Sequence, residues 1–208
     1  MKTCRIVIYI MYSLMCFGVA SYAFYFLFQQ INPNNEFVVK FANAGYEVPA
    51  HFFGGGFALF LVPFQLSKKL RQWSNSTHKI IGYLYTIAVF FGSISGFIMS
   101  FNATGGVVAE WGFRMLSILW LTTTVLAIYY AITGNIVRHK IWIFRSIAFS
   151  SAAITLRVFL GVGLGYLHLP FLTVYVPTAW LCWLVNVAII ELIIYWKKPT
   201  FFKSYGLA

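Results

Sequence analysis

The chain has 208 residues, 61% of them hydrophobic and 9% charged, with a mean hydropathy of +0.80. No water-soluble domain of this size could stay in solution with that balance, so composition excludes a soluble enzyme or binding module and implies a membrane protein. Four acids, Glu36, Glu47, Glu110 and Glu191, face fifteen Lys and Arg for a formal charge of +11; membrane topology collects basic residues by itself, so this charge does not imply a nucleic-acid partner.

In chain order, six apolar runs are long enough to cross a hydrocarbon core of roughly 30 Å as helices. They lie at 5–28, 48–66, 79–101, 112–133, 141–165 and 174–196. A closed barrel would need short alternating strands instead of continuous runs. The fold class expected is therefore all-α: one polytopic six-helix transmembrane domain over residues 1–208. The first run follows Lys2 and Arg5 like a signal peptide but is too long for a cleaved apolar region, and it reads as a retained anchor.

The connections alternate in charge. Lys2 and Arg5, then Lys68, Lys69 and Arg71, then Arg138 and Lys140, then Lys197, Lys198 and Lys203 fall on one side. The other loops hold Lys40 against Glu36 and Glu47, then Glu110 alone, then no charge. The positive-inside rule puts both termini on the cytoplasmic side of a cytoplasmic (inner) membrane. The bilayer is then the first partner, and much of the charge is topological.

Ionisable side chains inside a span cost on the order of 3 kcal/mol each, so each needs a partner or a task. Arg145 and Glu191 both lie about five residues in from the inner ends of the fifth and sixth runs, a common depth at 1.5 Å per residue. They are expected to form a structural ion pair. Arg157 lies higher, with Glu47, a bound anion or helix-end carbonyls as candidate partners. Glu110 and Arg114, spaced i, i+4 at the outer boundary, read as a surface pair. Mid-span Asn186 needs a hydrogen bond from a neighbouring helix, and the glycines at 54–56, 82, 92 and 96 read as helix-packing positions.

Two stretches echo each other about sixty residues apart. His78-Lys79-Ile80 and His139-Lys140-Ile141 each lead from a basic loop into an apolar run. Both fall at the inner face, whereas His51 and His168 fall toward the outer face. Imidazoles from different helices can clamp a b-type haem edge-on, with arginines such as Arg145 and Arg157 pairing its propionates. On that reading His78 and His139 ligate one haem iron, and His51 with His168 a second. A quinone site or proton relay using the same histidines, and purely structural roles, stay open beside it. Zinc fits poorly, because no Cys or carboxylate completes a four-ligand set with the inner histidines.

Cys4, Cys16 and Cys182 have neither CxxC nor metal-ligand spacing and imply no disulfide framework. Gly-rich phosphate loops, GxSxG, HExxH and paired site carboxylates are missing from the sequence, which assigns no catalytic residue.

The chain resembles a bacterial family of predicted membrane proteins, domain of unknown function 2306. The resemblance rests on His51 to Gly55, Ala58-Leu59, Pro63 and Gln65; His78-Lys79, Gly82 and Tyr85; His139-Lys140, Trp142 and Arg145-Ser146; Thr155-Leu156-Arg157; and Trp180, Trp183, Asn186 and Glu191. It covers the second to sixth runs, and His168 lies outside it. The family implies no activity. A looser similarity of the two histidine entries to cytochrome b561-like bundles implies redox work. The functional expectation is a membrane protein whose His51, His78, His139, Arg145, Arg157 and Glu191 serve a haem b or quinone and pass electrons to a redox partner. A small proton-coupled transporter and a non-catalytic subunit of a membrane complex are the alternatives.

Overall fold

The computed structural model describes residues 2–28, 39 and 44–203. The charge assignments made for Lys2, Arg5, Glu36, Lys40, Lys197, Lys198 and Lys203 concern side chains outside that description. Every described element is helical, and six segments are long and apolar enough to cross a membrane: Ile6–Phe28, Glu47–Leu66, Asn75–Ser100, Gly106–Ile132, Ile136–Tyr166 and Phe171–Trp196. Large apolar side chains such as Ile8, Leu14, Phe91, Val125, Leu181 and Ile189 point outward. Water would not solvate such a surface, and hydrocarbon would. The chain is a multi-pass membrane protein.

The helices group into two compact units, residues 1–102 and 103–208. The first contains α1 (Lys2–Phe28), α2 (Glu47–Leu66), the short α3 (Lys68–Trp73) and α4 (Asn75–Ser100). Helices α1 and α2 run antiparallel through aromatic contacts, with Phe26 stacked on Phe52 at 4.2 Å between centroids and Phe17 at 5.4 Å from Phe60. The Tyr9 hydroxyl donates to the Pro63 carbonyl at 2.9 Å, filling an acceptor of the last turn of α2.

The second unit contains α5 (Gly106–Ile132), α6 (Ile136–Ser150), α7 (Ala152–Leu160), a π-helical turn (Gly161–Tyr166) and α8 (Phe171–Lys203). The fifth apolar run crosses as one segment, Ile136–Tyr166, with its α-helix interrupted at Ser151 and passing into a π turn. Ser151 returns its hydroxyl to the Ile147 carbonyl at 2.8 Å and Thr155 to that of Ser151 at 3.3 Å, a back-bonding pattern that bends helices. Gly161, Gly163 and Gly165 then permit the wider π turn.

Two further boundaries differ from the sequence reading. The stretch 67–78, expected as a loop, carries α3, whose first turn is capped by the Ser67 hydroxyl accepting from the Leu70 N–H at 3.2 Å. Helices α4 and α6 begin four to five residues before the apolar runs, because Ser74 and Asn135 are side-chain N-caps. Ser74 Oγ accepts from the Thr77 N–H and Asn135 Oδ1 from the Arg138 N–H, each at 3.1 Å. The cap carbonyls accept the N–H of His78 at 3.1 Å and of His139 at 2.9 Å. Both histidines therefore occupy the same place, four residues after a cap in a formed first turn.

Candidate functional site

In the first unit, α2 and α4 cross at glycine. A Cβ on Gly54 would lie 2.6 Å from the Gly92 nitrogen and 2.8 Å from the Ala88 carbonyl, so only glycine lets these backbones meet. One turn earlier on the same face, His51 uses this approach: its Nδ1 is 2.8 Å from the Gly92 carbonyl oxygen. A carbonyl only accepts, so Nδ1 carries a proton and donates it here. At the other end of the pair, Gln65 Nε2 donates to the His78 carbonyl at 3.3 Å. Gly92 and His78 are fourteen residues apart on α4, roughly 21 Å of helix. His51 and His78 thus stand at opposite ends of their unit, and one haem cannot take both.

In the second unit, α5 and α6 are joined by three polar contacts in antiparallel register. Trp120 Nε1 donates to Ser150 Oγ at 2.9 Å, the Thr124 and Ser146 hydroxyls are 2.6 Å apart, and His139 Nδ1 is 2.8 Å from the Ala127 carbonyl oxygen. His139, like His51, thereby donates from Nδ1 to a backbone carbonyl. Ala127 is fully buried and small enough for the imidazole to reach its peptide.

Helix α8 is tied to this pair from two sides. Arg145 Nε donates to Glu191 Oε1 at 2.6 Å and Arg145 Nη2 to Glu191 Oε2 at 3.0 Å, a two-bond fork that fixes both planes. The guanidinium also lies 4.5 Å from the centre of the Trp142 ring. Deeper in the unit, the amide of Asn186 donates to the Ala148 and Cys182 carbonyls at 3.3 and 2.9 Å, and its Oδ1 accepts from Thr155 Oγ1 at 2.9 Å. Three of its hydrogen-bonding positions are filled, as a polar group in a span requires. Trp180 and Trp183 donate to the Val108 and Gly112 carbonyls of α5 at 2.9 and 3.2 Å. Each of the three long helices of the unit is therefore hydrogen-bonded to the other two.

The remaining candidates are placed as follows. Arg157 Nη1 donates to the Ala153 carbonyl one turn back on its own helix at 2.8 Å, while the Glu47 carboxylate accepts from the Gly45 N–H at 3.1 Å. Glu110 and Arg114 pair at 3.5 Å, but at 25% and 11% exposure they are more covered than a surface pair, because Trp111 lies 4.7 Å from the guanidinium. His168 is an exposed residue with φ of +51° in the turn after the π segment. The pairings His78 with His139 and His51 with His168 each draw one residue from each unit. Among the described residues, no three His, Cys, Asp or Glu side chains converge on a common point as a metal-binding group.

The sequence reading missed the Trp120–Ser150 and Thr124–Ser146 contacts. Their only signal was hydroxyls and an indole spaced i, i+4 on facing apolar helices.

Residues 48–194 match the model of a family described as predicted membrane protein (DUF2306). The chain belongs to the DUF2306 family. No curated protein and no solved structure matches it. The DUF2306 match takes in α2 to α7 and most of α8, and so contains His51, His78, His139, Arg145, Arg157, Asn186 and Glu191. The interhelical hydrogen bonds of the second unit and the α2–α4 contacts of the first thus lie inside the DUF2306 region, whereas α1, which packs on α2, precedes it.

Proposed function

We propose that this protein binds a redox cofactor, b-type haem or quinone, among its helices and passes electrons within the cytoplasmic membrane. The observation that supports the reading is the orientation of two imidazoles. His51 and His139 each give their Nδ1 proton to a backbone carbonyl of the neighbouring helix at 2.8 Å. That hydrogen bond fixes the ring plane and makes Nε2 the nitrogen that would meet a ligand, as carbonyl hydrogen bonds do behind iron-ligating histidines. In the neutral ring the same nitrogen would accept the hydroxyl proton of a reduced quinone. Bound haem or quinone would supply the electron carrier; the protein supplies a fixed nitrogen donor and an apolar surround. In the second unit the guanidinium groups of Arg145 and Arg157 accompany His139, with propionates or quinone carbonyls as their targets; in the first unit His78, at the other end from His51, is a separate candidate ligand.

Cofactor content of variants tests the assignment. His139→Ala and His51→Ala are expected to lower bound haem or quinone in the purified protein by at least about tenfold, while exposed His168→Ala leaves it unchanged. Full cofactor retention in both of the first two variants would exclude them as ligands.

One observation favours a small proton-coupled transporter as the second reading. Glu191 keeps 44% of its side-chain surface exposed while bonded to Arg145, and an accessible intramembrane carboxylate can carry a proton. In proteoliposomes that reading requires pH-dependent solute flux which Glu191→Gln abolishes.

A further inference from the structure

A groove of about 380 Å³ opens in the second unit where α5 ends, α6 begins and α8 passes. Its charged groups are Arg138, Arg145 and Glu191, beside Tyr130, Tyr195 and Trp142; its apolar walls include Ile141 and Ile194. The charges do not cancel. Glu191 is committed to Arg145 through two bonds, and no described carboxylate pairs with Arg138. Instead Arg138 Nη1 donates to Tyr130 Oη at 3.3 Å, and its guanidinium lies 5.3 Å from the centre of the Tyr130 ring. The groove therefore carries one positive charge in excess, on a guanidinium held by an aromatic ring and with donors to spare.

From this arrangement we infer that the groove binds the phosphate of an anionic phospholipid headgroup. A phosphate oxygen pair matches the planar donor fork of Arg138. Arg138 stands where the groove meets the basic ends of the helices, the side that collects Lys and Arg and the level at which headgroup phosphates would sit, with Arg145 and Glu191 deeper. Ile141 and Ile194 line the part of it where the glycerol and first acyl carbons of such a lipid would lie. A free phosphate ion would have the same charge chemistry but no use for those walls.

The test uses the full chain, delipidated in a neutral detergent, with native mass spectrometry as the readout. Phosphatidylglycerol or phosphatidylcholine is added at equal concentration, with and without millimolar inorganic phosphate. Phosphatidylglycerol is expected to be retained about tenfold more than phosphatidylcholine: both offer the phosphate oxygens, but the quaternary ammonium of choline cancels the net charge that the excess guanidinium attracts. Arg138→Gln should remove that preference and Arg71→Gln, on α3, should keep it. Ile141→Trp, which fills the groove without altering its charge, should also weaken retention. Equal retention of the two lipids, or an unchanged preference in Arg138→Gln, would overturn the inference. Full displacement of phosphatidylglycerol by inorganic phosphate would overturn the lipid as the source of the anion.

Discussion

Arg145 and Glu191 bring opposite charges into helices where a lone charge costs on the order of 3 kcal/mol. Removing either one leaves the other uncompensated, so Glu191→Gln and Arg145→Leu should each destabilise the protein by about 1–3 kcal/mol. The double variant Arg145→Leu/Glu191→Leu should be milder than the sum, a coupling that thermal unfolding in detergent would reveal. Additive losses would mean that the two side chains are solvated independently. Asn186→Leu should cost about 1 kcal/mol, because it deprives the Ala148 carbonyl and the Thr155 hydroxyl of their partner. The Arg145 and Glu191 contact was legible in the sequence because one coordinate, depth in the membrane, was enough to bring the residues level. The partner of His51 was not legible. It is a peptide carbonyl, which no side-chain pattern marks, and reaching it depends on how closely two helices approach. Thr124 was hidden for a different reason: its hydroxyl also bonds its own helix, to the Trp120 carbonyl at 2.8 Å, as threonines in spans commonly do without any partner.

The crossing of α2 and α4 is decided by adjacent glycines that look alike in the sequence. Gly54→Ala should destabilise by about 1–3 kcal/mol through overpacking against Gly92 and Ala88, and should also pull His51 away from its carbonyl. Gly55 has nothing within 4 Å of where its Cβ would stand. Gly55→Ala should accordingly be neutral or stabilise by up to about 1 kcal/mol. Equal effects of the two substitutions would contradict the packing described for this crossing. The caps form a second pair of this kind: Ser74→Ala and Asn135→Ala should each cost about 1 kcal/mol and fray the turn that holds His78 or His139. Helix existence was plain from continuous apolar runs, but their starts were not. Hydropathy locates where a run becomes apolar, whereas the helix begins at the residue whose side chain caps it. The break at Ser151 escaped notice because serine and threonine inside an apolar run leave its hydropathy high, while their hydroxyls compete for helix carbonyls.

Six spans and alternating loop charge give a topology with a direct check. Single cysteines at Asn102 and His168 should react with an impermeant maleimide added outside intact cells, and cysteines at Trp73 and Gly134 should react only after permeabilisation. The reverse pattern would invert the assignment of inner and outer faces. Each compact unit supplies one imidazole oriented by a carbonyl, His51 in the first and His139 in the second. The orientation of these two rings is the basis of the redox proposal. Its most direct test is one preparation: protein purified from membranes of haem-replete cells, its oxidised and dithionite-reduced visible spectra recorded, and its quinone content measured after solvent extraction. A reduced α band, or about one quinone per chain, is the expected result; a colourless protein with no bound quinone would contradict it.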